Sequence, residues 1–103
     1  MIKFYQVKDT RNGSFATPEE AKQNFLYGGF DCVATVNADK LDNAWFLTNS
    51  IESYWAENPE VTVLDDGLLI TEERGGLRSA MTGDIYELNG ELYLIADMGF
   101  EKI

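Results

Sequence analysis

The chain has 103 residues, a formal net charge of −10 and no histidine. This length makes one domain, 1–103, and 45% hydrophobic with 25% charged residues is the composition of a folded globule, which excludes a disordered acidic tail. The acid excess argues against a direct nucleic-acid binder, which carries the opposite sign, and the missing imidazole excludes any histidine-dependent mechanism.

Residues 2–7 read as a strand of β-branched and aromatic types, and Asp9 to Ser14, with Asn12-Gly13, as a loop. Thr17-Pro18-Glu19-Glu20 predicts a helix start with a capping box, running to about Tyr27 and stopped by Gly28-Gly29. Phe30 to Asn37 reads as a second strand, with Phe30, Cys32, Ala34 and Val36 sharing one face. Asp39 reads as the cap of a second helix over about Lys40 to Thr48, whose spacing turns Leu41, Ala44, Trp45 and Thr48 to the core, and Asn49 as its left-handed end. Residues 49–60 are irregular. Val61 to Leu64 reads as a strand, Asp65-Asp66-Gly67 as a turn, Leu68 to Thr71 as a strand, and Glu72 to Gly76 as a polar loop. Two runs flanking Asn89-Gly90 form a hairpin with a type I′ turn, setting Tyr86 opposite Tyr93, Ile85 opposite Leu94 and Leu88 opposite Glu91. A short segment from Gly99 closes the chain. The fold class is α+β: an antiparallel sheet of five or six strands with two helices packed on one face.

Few residues carry chemistry. Cys32 lies in an apolar strand with no base to activate it, and as the single cysteine it cannot pair internally, which points to a reducing compartment. Zinc spacing is absent, Asp65-Asp66-Gly67 lacks the spacing of a calcium loop, and neither glycine pair continues as a phosphate cradle. No cofactor and no metal are therefore expected. An enzyme would have to work with carboxylates alone. No apolar run approaches the roughly twenty residues of a membrane span, and the N-terminus is too polar for a signal peptide, so the expected location is the cytoplasm, away from membranes.

The charge is uneven. Residues 1–40 balance, whereas residues 41–103 hold thirteen of the 18 acids, and no Lys or Arg interrupts Asp42 to Glu73. A globule of this length spans about 33 Å, and duplex DNA of that length carries on the order of twenty charges. Thirteen acids spread around a globule imitate that only in part, and the plain alternative is a solvated face that keeps the protein soluble. The acids Glu52, Glu57, Glu60, Asp65, Asp66, Glu72 and Glu73, with Trp55 among them as an aromatic anchor or a lid over the core, form the candidate partner-binding set.

Two stretches carry a resemblance. Leu47 to Pro59 (LTNSIESYWAENP), and Arg78 to Ile85 (RSAMTGDI) followed by Met98-Gly99-Phe100, resemble segments of small acidic proteins of bacteriophages, prophages and mobile elements. In that group an "LTN…W.EN" segment precedes an "RS.S.GD" segment. Ala80 and Thr82 depart from the second pattern, and the likeness covers about residues 30–103. The resemblance implies a phage-type origin and carries no activity. Read physically, Thr48, Asn49, Arg78, Ser79, Gly83 and Asp84 are structural: Asp84 accepts from turn amides and pairs with Arg78 to fix the start of the hairpin.

These readings give a protein of the bacterial host's cytoplasm that binds and inhibits a basic or DNA-binding host protein, such as a defence nuclease, through a partly DNA-mimicking acidic surface. The competing reading is an accessory module for replication or transcription that docks through an aromatic patch near Trp55.

Overall fold

The computed structural model describes residues 1–50 and 53–103. Its elements run β1 (Ile2–Val7), α1 (Thr10–Gly13), α2 (Pro18–Leu26), β2 (Phe30–Val36), α3 (Leu41–Leu47), a 3-10 turn (Trp55–Glu57), β3 (Val61–Val63), α4 (Asp65–Arg74), β4 (Ile85–Leu88), β5 (Glu91–Ala96) and β6 (Gly99–Lys102). The strands form one six-stranded antiparallel sheet in the order β3-β2-β1-β4-β5-β6. β1 lies inside the sheet although it comes first, so the chain must return from β3 at one edge to β4 beside β1.

Both faces of β1 carry apolar side chains, so both need cover. Ile2 and Phe4 enter one cluster with Val36, Ala44, Trp55 and Tyr86, while Tyr5 packs on the other side with Ala21, Phe25, Ile85 and Leu94. Of the two expected helices only α3 packs on this face, through Ala44, Leu41 and Leu47, and it is joined there by α4 through Ile70. The predicted N-terminal helix α2 covers the opposite face.

Thr17 and Glu20 close the expected capping box at α2, and the pair Gly28-Gly29 follows its last turn. The hairpin has the expected register, with φ of 53° at Asn89 and 79° at Gly90, the left-handed pair a type I′ turn requires.

Five local expectations change. The loop after β1 contains the one-turn helix α1, because the Asp9 carboxylate accepts from the Arg11 and Asn12 amides. β2 does not keep one face. Its pairing with β1 skips Val33, so Ala34 and Val36 join the Phe4 cluster while Phe30 joins the Tyr5 side. Helix α3 starts after Lys40 with no side-chain cap from Asp39, and Asn49 is not left-handed. Instead, the Asn49 side-chain amide donates to the Trp45 carbonyl at 2.6 Å. Trp45 is 39% exposed, because Ala44, Leu41 and Leu47 take the sheet side of so short a helix.

The largest correction is residues 65–74, which form helix α4 in place of a turn, a strand and a loop. Asp65 and Asp66 stand in its first turn and Arg74 in its last, the order that the helix dipole favours. Gly67 makes the packing possible. A Cβ there would lie 2.4 Å from the Val33 carbonyl oxygen, so only glycine lets the helix lie this close to β2.

Candidate interaction surface

The two resemblance segments meet in space and form a partly buried polar joint. The Ala80 amide donates to the Thr48 carbonyl at 2.9 Å, and the Ser50 amide to Ser79 Oγ at 3.0 Å. The Trp55 amide donates to Ser50 Oγ at 3.2 Å, and its indole Nε1–H to the Arg78 carbonyl at 3.0 Å. Gln6 Nε2 donates to the same carbonyl at 2.8 Å. Thr48 is fully buried, with Oγ1 2.8 Å from the Ala44 carbonyl and 2.6 Å from Tyr86 Oη. Its single proton goes to Ala44, so Tyr86 donates to Thr48.

Asp84 is the centre of the joint. It is 0% exposed, and its two oxygens accept from the Val7 amide at 2.9 Å and the Met81 amide at 3.0 Å. Arg78 Nη1 and Nη2 each donate to one carboxylate oxygen at 2.7 Å, a bidentate pair. Arg78 also donates to the Ser79 and Val7 carbonyls. The guanidinium is thus committed to the protein's own oxygens. Next to this pair, Gly83 has φ of 99°, and a Cβ there would meet the Gly13 carbonyl oxygen at 2.4 Å. Arg78, Ser79, Gly83, Asp84 and Thr48 thus link β1, the start of β4 and the end of α3 through hydrogen bonds and close backbone contact.

Trp55 belongs to the same joint. It is 2% exposed and stacks edge-on against Phe4 at 5.5 Å between ring centres. Of its two expected roles, the structure rules out the accessible anchor: its N–H is taken by Arg78 and its ring fills the core. Exposed aromatic residues lie elsewhere: on α3, where Trp45 is followed by Phe46 at 67% exposure, and at Phe15 and Tyr27 beside the ends of α2.

The candidate acids divide into groups. Glu52 lies outside the described residues. Glu57 sits on the 3-10 turn, exposed, and Glu60 accepts from Asn37 Nδ2 at 2.6 Å beside the end of β2. Asp65, Asp66, Glu72 and Glu73 are all exposed and all on α4. At about 100° per residue, Asp65 and Glu72 fall on a line opposite Gly67 and Ile70, while Asp66 and Glu73 fall on the flank of the helix next to Ile70. Leu68 and Leu69 flank the Asp65–Glu72 line at 55% and 56% exposure. Sequence reasoning found the acids but missed the leucines. Read as a helix, the seven-residue spacing of the two acidic pairs would have shown both.

A groove of about 560 Å³ runs beside this helix. Asp66, Leu69, Ile70, Glu73 and Arg74 form its helical wall, and Gln6, Lys8, Asp31 and Arg78 line the rest. Lys8 is engaged with Asp31 at 3.7 Å. Among the described residues no cluster of three Cys, Asp or Glu side chains is arranged to hold a metal ion, and no helix is long and apolar enough to cross a membrane.

Comparison with known proteins finds no match: no family model, no curated protein and no solved structure is significantly similar to the chain.

Proposed function

We propose that the chain is a phage-type inhibitor that works in the cytoplasm of a bacterial host by binding a basic, DNA-binding host protein through the outer face of α4. One observation carries this reading: four exposed carboxylates and two exposed leucines cover the solvent-facing half of a single helix. The carboxylate pairs at its two ends are about 10.5 Å apart along the axis. Three phosphate steps along one DNA strand cover about 10 Å. The face therefore offers a basic cleft a short run of phosphate-like charge, with leucines adding apolar contact that a nucleic acid lacks. The rest of the negative charge steers a cationic partner toward it.

The test is capture from a bacterial lysate with the wild-type chain and with Asp65→Lys, Asp66→Lys, Glu72→Lys and Glu73→Lys combined. The wild type is expected to retain a basic DNA-binding protein that duplex DNA displaces and raised salt releases. The variant, with an unchanged circular dichroism spectrum, is expected to lose it. Equal retention by both chains, or retention that neither salt nor DNA affects, would refute the reading.

A further inference from the structure

A second surface lies at the other end of the sheet. A notch of about 260 Å³ opens between α3 and the β5–β6 turn. Trp45, Ile95 and Phe100 give it apolar walls, and Asp42 and Asp97 stand at its margin. Both acids are exposed, and Trp45 offers 39% of its surface. The four salt bridges among the described residues involve neither Asp42 nor Asp97.

The size and the chemistry select the occupant. The notch is smaller than the roughly 300 Å³ at which small-molecule sites begin, so it suits one side chain. Its walls need an apolar or flat group, and its margin needs a positive charge. A lysine ammonium is a compact, strongly hydrated charge, whereas a guanidinium stacks on an aromatic face while its N–H fork reaches carboxylates. We propose that this notch binds a single arginine side chain presented by a protruding segment of a partner protein. The guanidinium lies against Trp45 and donates to Asp42 and Asp97. This surface is separate from the outer face of α4, and the proposal does not depend on the function assigned to that helix.

The probe is the peptide acetyl-Gly-Arg-Gly-amide, titrated into 15N-labelled protein and followed by NMR, with the citrulline peptide as its neutral isostere. The arginine peptide is expected to shift the Trp45 indole N–H and the Asp97 and Gly99 amides saturably, and the citrulline peptide to need about fivefold higher concentration for the same shifts. Asp42→Asn with Asp97→Asn exchanges two exposed groups, so the fold is kept. It is expected to weaken binding about fivefold, the scale of exposed ion pairs. Neutralising Asp65, Asp66, Glu72 and Glu73 on α4 is expected to leave the peptide affinity within twofold. No saturable shift at Trp45, an equal shift with citrulline, or an equal loss in the α4 variant would each overturn the proposal.

Discussion

At the scale of single residues, the decisive group is a carboxylate without access to water. Burying Asp84 costs several kcal/mol in desolvation, and four N–H donors offset it. The two partners are not equally buried. The Arg78 side chain keeps 30% exposure and reaches solvent, whereas Asp84 keeps none. Arg78→Ala strands a buried charge and should lower the unfolding free energy by about 5 kcal/mol, while Asp84→Ala strands a hydrated one and should cost nearer about 3 kcal/mol. Urea titration of both variants gives the order, and a costlier Asp84→Ala would contradict it. The tyrosines set the alkaline limit. Burial pushes the Tyr86 hydroxyl above its ordinary value of 10, and burial followed by the charges near it does the same for Tyr5. A raised folded value means that stability is complete below the unfolded value and falls as pH rises through it. Above pH 10 each such tyrosine should remove about 1.4 kcal/mol per pH unit, Tyr86 more fully because Tyr5 is partly exposed. Urea midpoints from pH 8 to 11 measure this, and Tyr86→Phe should flatten the slope.

Elements show where local and tertiary preferences agree and where they part. Helix α2 was legible because Thr17, Pro18 and Glu20 act within four residues of one another. The Thr17 amide and hydroxyl hold the Glu20 carboxyl below its ordinary range. The contribution of this cap is thus present above the unfolded carboxylate value and lost as pH falls through the lowered one. The Glu20 side-chain carbon shift in an NMR titration should show the low midpoint, and Thr17→Ala, which removes the hydroxyl but keeps the amide, should raise it only in part. Helix α4 was misread because Asp-Asp-Gly is a turn signal and Leu-Leu-Ile-Thr suits a strand. Contact with β2 overrides both. On helix propensity alone, Gly67→Ala stabilises by about 1 kcal/mol. Against the Val33 carbonyl 2.4 Å away, it should instead lower the melting temperature. A rise in melting temperature would mean that α4 does not lie on β2 as described. β2 failed for a related reason, since one skipped residue at Val33 exchanges the faces of everything before it.

Over the whole molecule, the net charge of −10 sits within 33 × 29 × 23 Å. At about 0.01 M salt the screening length of about 30 Å matches these dimensions, so the acids repel one another across the globule. At about 0.1 M it falls to about 10 Å and most of that repulsion is gone. The melting temperature should therefore rise with sodium chloride over this range. A fall would mean that ion pairs such as Lys102–Glu91, at 2.9 Å, outweigh the repulsion. The same field draws basic partners, so the proposed contact at α4 should associate more slowly as salt rises.

What the sequence determined by itself were the features written in neighbouring residues: the capping box at Thr17, the Asn89-Gly90 turn with its strand register, and the Asp84–Arg78 pair six positions apart. The concentration of acid after residue 41 was likewise plain from the order of residues. Tertiary structure decided which tryptophan is buried, which face each half of β2 presents, and that residues 65–74 form a helix. Those outcomes depend on contacts between residues far apart in the chain. Trp55 goes inside because Phe4 and the Arg78 carbonyl wait for it, and Trp45 stays outside because Ala44 already fills the space against the sheet. The acidic surface of α4 has the same origin: four carboxylates within nine residues take their places on a helix only because contact with β2, which Gly67 permits, makes residues 65–74 helical.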